Sequence, residues 1–328
     1  MKEKNNHNSK SKYVLEINKD KGQTIVNELK ERELYDKSRA IIAVNEKLWI
    51  PIKEKIVGAQ IKKLPEKKRS SSLKDKFGLV SFDIIGEIIV IFIPDYLISQ
   101  KKEIGKYLMT LYQKIKAVYR EVSEANDEFR IQSKELIAGK GSETIHFENK
   151  LKFKLDITKV FFSPRQITER KELIKQVIKG DKICVLFSGI GPIPIYLSKF
   201  TNAAKIIGIE LNDIAHKYAL ENLEINKITN VRLINGDVKK ILPNLRQEEL
   251  FDLIVSSLPK NSESFIELVK DALKSNGRMI SYIVTKEIGI KNYLNELTEV
   301  GFKINFIKKG LETAPKEWRY TVHACKKE

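Results

Sequence analysis

The rear half of this chain alternates between two hydrophobic periods. From residue 151 onwards, short apolar runs typical of buried strands are separated by segments whose apolar positions repeat at helical spacing. Strands are predicted at residues 152–155, 160–162, 182–187, 206–210, 231–235, 251–256 and 278–283, and helices at 166–178, from 193, at 214–226 and at 263–273. Such repeated strand–helix–strand units predict a mostly parallel sheet covered by helices on both faces. A helix at 291–299 and strands at 303–308 and 320–324 are expected to close the sheet with an antiparallel strand.

The front half has shorter and more mixed elements. Residues 13–17 alternate like a strand, 22–34 repeat like a helix, and 40–44 and 48–52 suggest two strands around Asn45-Glu46. Residues 79–93 predict two strands joined at Gly86, 96–122 a long amphipathic helix, and 129–136 and 144–147 further strands. The intervening stretch, residues 60–77, is rich in Lys, Arg and Ser, which favours a basic linker near a phosphate backbone or a solvated hinge without a ligand.

These patterns predict an α/β protein with four segments. We expect a small α+β domain over residues 1–56, a basic linker over 57–78, a middle α+β domain over 79–150 and a Rossmann-like α/β domain over 151–328.

Charge adds a possible partner, and composition argues against several classes of protein. The 328 residues include 60 Lys/Arg and 43 Asp/Glu, a formal net charge of +17. This excess favours a polyanion such as nucleic acid, although a lysine-rich or heat-adapted proteome would produce it too. Two cysteines and four scattered histidines predict neither a disulfide framework nor a metal site. The longest apolar run, residues 84–93, is too short for a membrane span, so we expect a soluble cytoplasmic protein.

A glycine loop followed by two acidic residues predicts a cofactor site. The loop Phe187-Ser188-Gly189-Ile190-Gly191 follows a predicted strand and precedes a helix, where glycines let the backbone approach a ligand. Glu210 ends the next strand and can accept hydrogen bonds from ribose hydroxyls, and Asp237 after the following strand is a candidate for the adenine edge. This order favours an adenosyl ligand. A tight turn with two solvent-facing acids is the alternative, and Pro194 disfavours a pyrophosphate cradle for a nicotinamide cofactor.

Four stretches together form a more specific pattern than any one alone. They are EFRI at 128–131 followed by ELIAG at 135–139, KVFFSPRQITER at 159–170, the loop FSGIGP at 187–192 and SLPK at 257–260. This combination resembles the archaeal and eukaryotic tRNA (guanine37-N1)-methyltransferases over nearly the whole chain. The resemblance implies an N-terminal domain that contacts the tRNA elbow, a middle domain that helps to recognise RNA, and a class I methyltransferase domain that uses S-adenosylmethionine.

The resemblance also implies roles for individual residues. It assigns Arg130 to the target guanine and Glu169 to the general base, while Arg165 and Phe161 match positions that line the cofactor and base pockets. The cofactor-binding residues predicted in this way or from the loop are Arg165, Phe187, Ser188, Gly189, Gly191, Glu210, Leu211, Asp237 and Val238. The predicted target-base pocket consists of Phe161, Ser257, Leu258 and Pro259.

Two residues depart from the family pattern. Val185 replaces an acidic residue of the first strand, which removes one expected anchor near the cofactor. Ser257 stands where members usually carry asparagine, so the target base is expected to be held differently.

A base is required because guanine N1 carries a proton at neutral pH. Glu169 would take this proton during methyl transfer, and the guanidinium of Arg130 would stabilise the negative charge that develops on O6. The nucleotide would have to be flipped out of its loop to reach the buried donor. The sequence alone favours the other explanation of Glu169, a helix-start carboxylate that suits the macrodipole, and Arg130 could equally be an ordinary strand-surface residue.

Other functions remain open on the sequence. Related enzymes methylate C7 of 4-demethylwyosine, and Ser257 leaves this activity open. Others transfer the aminocarboxypropyl group of the same cofactor. Those enzymes typically have tyrosine at the position of Pro192, so Pro192 favours methyl transfer. An RNA-binding protein without turnover is disfavoured by the presence of Glu210, Asp237 and Glu169. A small-molecule methyltransferase would have no use for two extra N-terminal domains. The expected partner is tRNA, through its anticodon loop and elbow, rather than DNA or a membrane, and we expect a monomer.

Overall fold

The computed structural model describes residues 12–36, 39, 41–62, 72–79, 81–122, 133–257, 265–314 and 316–327. The chain divides into two compact units, Met1–Lys76 and Phe77–Glu328. The predicted domain boundaries at residues 57, 79 and 151 remain predictions.

The first unit is a small sheet with one helix packed on it. Its elements are strand β1 (Lys12–Asn18), helix α1 (Gly22–Glu31) and strands β2 (Ile42–Val44), β3 (Lys47–Pro51) and β4 (Ala59–Lys62), in the sheet order β2-β3-β1-β4. Val26 and Leu29 of α1 pack against Ile50 and Ile52. β2 and β3 form the predicted strand pair around Asn45, whereas β4 pairs with β1 and therefore places a strand within the predicted linker. Helix α2 (Leu73–Phe77) lies near the end of that linker.

The front part of the second unit contains a four-stranded sheet and a hairpin. Strands β5 (Asp83–Ile85), β6 (Ile88–Ile91), β7 (Ala117–Glu121) and β8 (Lys134–Gly139) lie in that order, with helix α3 (Lys101–Leu111) packed on β7 and β8. Strands β9 (Glu143–Glu148) and β10 (Leu151–Asp156) form an antiparallel hairpin.

The long helix predicted over residues 96–122 is wrong. A 3-10 turn over Asp95–Gln100 leads into α3, which ends at Leu111, and the chain then turns back into β7, which runs parallel to β6. Ala117 and Val118 are fully buried. Tyr119 is buried as well, and periodicity alone cannot distinguish so short a buried run in a strand from part of a buried helix.

The rear part is the predicted α/β domain. Its elements are α4 (Ile167–Ile174), β11 (Lys182–Leu186), α5 (Pro192–Phe200), β12 (Lys205–Glu210), α6 (Asp213–Ile225), β13 (Val231–Asn235), α7 (Val238–Glu248), β14 (Phe251–Ser257), α8 (Ile266–Ala272), β15 (Leu273–Thr285), α9 (Glu287–Val300), β16 (Phe302–Ala314) and β17 (Glu317–Lys326). The sheet order is β13-β12-β11-β14-β15-β17-β16. The first five strands are parallel and β17 is antiparallel to both neighbours, so the expected antiparallel closure is confirmed.

Two further local predictions differ from the structure. Residues 160–162 do not form a strand, because Asp156 accepts hydrogen bonds from the backbone nitrogen and the hydroxyl of Thr158 and turns the chain there. Helix α7 has no counterpart in the predicted pattern, since Pro243 lies inside it and proline ordinarily ends a helix. No helix among the described residues is long and apolar enough to cross a membrane.

Candidate active site

The glycine loop has a backbone conformation that suits close approach of a ligand. Phe187, Gly189 and Gly191 all have positive φ, at 56°, 56° and 84°. A bulky residue such as phenylalanine is rarely found there, and backbone strain of this kind concentrates at binding sites. The Phe187 ring packs edge-on against Phe265 at a centroid distance of 5.2 Å, which helps to hold the loop. The N–H groups of Ser188, Gly189 and Gly191 are bonded within the protein, to the Ile209 carbonyl, the Glu210 carboxylate and the Ser188 carbonyl. The loop therefore offers a ligand close approach to its backbone at the carboxyl end of β11.

Glu210 lies beside this loop, at the carboxyl end of β12. One carboxylate oxygen accepts the N–H of Gly189 at 2.7 Å and the other accepts the N–H of Asn212 at 2.8 Å. Burial raises the pKa of Glu210, although these backbone hydrogen bonds act in the opposite direction. Each oxygen retains a lone pair that a ribose hydroxyl can use.

A buried hydroxyl points to a ligand at the same loop. Ser188 is only 4% exposed, and its Oγ has no hydrogen-bond partner in the described part of the chain. A buried polar atom without a partner is costly, and a polar ligand group would relieve that cost. The free hydroxyl, the buried carboxylate of Glu210 and the left-handed loop together fit an adenosyl cofactor.

The third predicted anchor, Asp237, has a structural task as well. Its Oδ1 accepts the N–H of Lys239 at 2.8 Å and caps helix α7. Asn235, which the sequence pattern did not single out, donates from its side chain to the Glu210 carbonyl at 2.9 Å. The ends of β12 and β13 are thus tied together beside Leu211. Val238, at the start of α7, is buried, and contact of Asp237 with adenine remains a prediction.

Val185, the departure in the first strand, is fully buried. It packs with Leu173, Ile183 and Val255 in the apolar layer of the sheet. An acidic side chain at this place would lie in that layer, so the substitution replaces a potential cofactor anchor with core packing.

Two residues from the C-terminal part of the sequence, Arg319 and Tyr282, contact Glu169. The Nε of Arg319 on β17 donates to both carboxylate oxygens, at 2.6 and 2.8 Å. Tyr282 on β15 donates its hydroxyl hydrogen to the main-chain carbonyl of Glu169 at 3.4 Å, and the Arg319 guanidinium lies 5.4 Å from the Tyr282 ring centroid. Burial raises the pKa of the Tyr282 phenol. Glu169 does lie in the first turn of α4, as a helix-start carboxylate would, but its oxygens are bound by an arginine.

Ser257 belongs to the same face of the sheet. It ends β14 and is the direct neighbour of Tyr282 on the parallel strand β15. Paired residues of a parallel sheet project to the same side, so Ser257 lies on the face of the sheet from which Tyr282 contacts Glu169 of α4. That Ser257 and Glu169 both serve the target base remains a prediction.

The remaining predicted site residues make no contact with Glu169 or Glu210 that the structure records, or lie outside the described residues. Phe161 is 41% exposed on the segment that leads into α4. The Nε of Arg165 donates to Oδ1 of Asp83 on β5 at 2.7 Å and links the α4 segment to the four-stranded sheet. Arg130, Leu258 and Pro259 lie outside the described residues. Within the described ranges, no cluster of three His, Cys, Asp or Glu side chains could hold a metal ion.

Comparison with protein families gives two adjacent matches, which begin near the end of the first unit and extend through most of the second. The TRM5/TYW2 methyltransferase domain matches residues 144–306, and the TYW2 N-terminal domain matches residues 61–142. The tRNA (guanine(37)-N(1))-methyltransferase Trm5b of Pyrococcus abyssi is 38% identical over 203 residues, which are 62% of this chain and 59% of that protein. Its namesake in Methanocaldococcus jannaschii is 30% identical over 304 residues, 83% of this chain and 87% of that protein. The tRNA (guanine(37)-N(1))/4-demethylwyosine(37)-methyltransferase Taw22 of Nanoarchaeum equitans is 37% identical over 174 residues, 52% of this chain and 57% of that protein.

Solved structures give the same result at the level of the fold. The crystal structure of Trm5b from Pyrococcus abyssi superimposes with a TM-score of 0.74 at 28% identity, covering 96% of this chain and 99% of that one. The complex of aTrm5 with tRNALeu superimposes with a TM-score of 0.72 at 26% identity, covering 95% of this chain and 99% of that one. The class I methyltransferase fold that the family resemblance implied is thereby confirmed. The chain belongs to the TRM5/TYW2 methyltransferase family.

Proposed function

We propose that this protein transfers a methyl group from S-adenosylmethionine to N1 of guanosine 37 in tRNA. The observation that carries the proposal is the position of Glu169, whose carboxylate is held by Arg319 on β17 and whose main-chain carbonyl contacts Tyr282, the strand neighbour of Ser257, in the same domain that offers Glu210 and the glycine loop. The two Trm5b relatives carry the same activity in their names, and one of them matches over most of both chains.

The cofactor would be held at the ends of β11, β12 and β13. Glu210 would accept hydrogen bonds from the ribose hydroxyls, the Ser188 hydroxyl would contact a polar group of the ligand, and Asp237 would approach the adenine edge. When bound, S-adenosylmethionine supplies an electrophilic methyl group on a sulfonium centre. Because Gly189 and Gly191 have no side chains, the loop after β11 would let the cofactor come close to its backbone.

Glu169 would act on the substrate base. The lone pair of guanine N1 becomes nucleophilic as its proton leaves, and a carboxylate within hydrogen-bond reach can accept that proton. Negative charge then develops on O6, where Arg130 is proposed to stabilise it. Phe161 and the segment of Ser257, Leu258 and Pro259 would form the walls that receive the flipped base.

tRNA is the proposed partner, bound by a monomer in the cytoplasm. The net charge of +17 favours a polyanion, and the aTrm5 structure with similar fold contains tRNALeu. We propose that the rear domain receives the anticodon loop and that the N-terminal unit contacts the elbow.

Methylation of C7 of 4-demethylwyosine at the same position is a second candidate. The Taw22 relative carries both activities in its name, and Ser257 replaces the usual asparagine in the proposed base pocket. Aminocarboxypropyl transfer is less favoured, because the loop has Pro192 where those enzymes have tyrosine.

Mass spectrometry of nucleosides tests these alternatives together. Unmodified tRNA transcripts and tRNA carrying 4-demethylwyosine are incubated with the protein and with cofactor that is isotopically labelled either in the methyl group or in the aminocarboxypropyl group. We expect methyl label in 1-methylguanosine from position 37, and none when that guanosine is replaced by adenosine. Methyl label only in the tricyclic base, or transfer of the aminocarboxypropyl label, would contradict the proposal.

A further inference from the structure

The C-terminal hairpin of β16 and β17 holds the carboxylate of Glu169 in place. Arg319 is the contact: its Nε–H is shared between the two oxygens at 2.6 and 2.8 Å, and its side chain is only 10% exposed. We propose that Arg319 is a positioning residue that fixes the orientation of the general base. The inference deepens the function proposed above, since it assigns this residue to the same reaction.

The hairpin is irregular at this residue. Tyr320 pairs with Lys309 and Trp318 pairs with Glu312, so Gly310 and Leu311 together face the single residue Arg319. Two residues opposite one form a β-bulge, a device that bends a strand and redirects a side chain next to an active site. The irregularity therefore lies at the residue that reaches Glu169.

Gly310 permits the close approach that this bulge requires. A Cβ at this position would lie 2.8 Å from the main-chain oxygen of Arg319, which is closer than real Cβ contacts. Any larger residue would push the two strands apart. The backbone that carries Arg319 is thus held by a residue of the neighbouring strand that has no side chain of its own.

Neighbouring side chains hold the hairpin on both sides of the bulge. Lys309 lies over the Trp318 ring, 3.6 Å from its centroid, and also donates to Glu287 of α9 at 2.7 Å. Arg319 itself is paired with Val284 on β15, and its guanidinium lies over Tyr282. These contacts leave little freedom to the strand or to the guanidinium.

An arginine suits this task because of its geometry. A free glutamate side chain has several rotamers, and fixing one of them in advance lowers the entropy cost of reaching the reactive arrangement. The guanidinium is planar and always charged, so it aligns a carboxylate more strictly than a lysine ammonium does. With Nε–H occupied by both oxygens, the carboxylate still has lone pairs for the N1 proton.

The test is a double-mutant cycle in single-turnover assays on a guanosine 37 transcript, with tRNA and cofactor saturating. Arg319→Gln should slow methyl transfer by about 10²-fold, the scale of a misplaced catalytic group, with little change in affinity for either ligand. In a Glu169→Gln background the same substitution should change the rate by less than about twofold, because residues that act through one another are not additive. Arg319→Lys should restore part of the rate.

Two further variants separate positioning from general damage. Gly310→Ala leaves all charged groups intact but moves the Arg319 backbone, so it should slow transfer in wild type and not in the Glu169→Gln background. Arg232→Gln removes an exposed arginine paired with Glu248 at 3.5 Å and should leave the rate unchanged. Thermal unfolding of each variant measures whether the fold is retained.

The outcomes distinguish this inference from the proposed function. A near-normal rate for a folded Arg319→Gln protein contradicts the positioning role alone, as does an equal loss of rate with and without Glu169. Absence of 1-methylguanosine from the wild-type reaction contradicts the proposed function and with it the reaction that Arg319 would serve.

Discussion

Arg170 donates from Nε and Nη2 to the two carboxylate oxygens of Glu148, at 2.7 and 2.6 Å, with both side chains almost completely buried. The guanidinium also lies 5.6 and 5.7 Å from the ring centroids of Phe162 and Tyr196. This ion pair joins the β9–β10 hairpin to α4 directly after Glu169. The orientation of the helix that carries the proposed base therefore depends on a buried charge pair.

Breaking that pair should destabilise the second unit strongly. Arg170→Met leaves the Glu148 carboxylate buried without its partner, for which we expect a loss of about 3–5 kcal/mol in the free energy of unfolding. Removing both charges with Glu148→Leu and Arg170→Met should cost less than Arg170→Met alone. Urea denaturation provides the measurement, with the exposed Arg232→Met as the matched control. A loss of under about 1 kcal/mol for Arg170→Met would mean that the pair is not a structural anchor.

The same pair predicts a pH dependence of stability. Burial by itself would raise the pKa of Glu148, but His146, whose Nε2 lies 3.8 Å from Oε2, and the two hydrogen bonds from Arg170 outweigh it and lower the pKa from 4.5 to about 2. A carboxyl with a lowered folded pKa stabilises the protein above its unfolded pKa and loses that contribution as the pH falls through the folded value. The free energy of unfolding should therefore fall between pH 4.5 and about pH 2. Glu148→Gln should lack this part of the fall, and denaturation midpoints with equal pH slopes for the two proteins would contradict the assignment.

Cofactor affinity should depend on Glu210. Glu210→Ala removes the proposed acceptor of the ribose hydroxyls and frees the N–H groups of Gly189 and Asn212, so binding of S-adenosylmethionine should weaken by about 1–3 kcal/mol. Titration calorimetry measures the change. Glu221→Ala serves as the control, since Glu221 on α6 pairs with Lys154 at 2.9 Å and is half exposed. Equal affinity of folded Glu210→Ala and wild-type protein would remove Glu210 from the cofactor site.

The cofactor end of the domain could be predicted because its signals are local. Consecutive parallel strands end at the same sheet edge, so a glycine loop after β11 and an acid 21 residues later at the end of β12 must meet there. The pairing of Glu169 with Arg319 could not be predicted in this way. Its partner Arg319 is 150 residues away on an antiparallel strand, and neither strand register nor a bulge can be read from apolar spacing. Helix α7, with its internal Pro243, and β7, whose first three residues are all buried, also fall outside simple periodicity.

The N-terminal unit should contribute to tRNA binding without affecting the cofactor. Because phosphate contacts release counterions, deleting residues 1–76 is expected to raise the tRNA dissociation constant and to flatten its dependence on salt. The boundary follows the division of the chain after Lys76. Binding of S-adenosylmethionine to the shortened protein checks that the remaining unit is folded. Unchanged tRNA affinity and salt slope would show that this unit does not contact RNA.

The measurement that tests the central claim most directly is the single-turnover rate of 1-methylguanosine formation at position 37 by Glu169→Gln protein. With tRNA and cofactor saturating, loss of a positioned base should slow the reaction by about 10²–10⁴-fold, while both ligands still bind. The residual rate should rise with pH, as hydroxide or ionised guanine replaces the carboxylate. A rate close to that of the wild type would contradict the account, and Glu169 would then be a helix-start carboxylate that happens to be paired with Arg319.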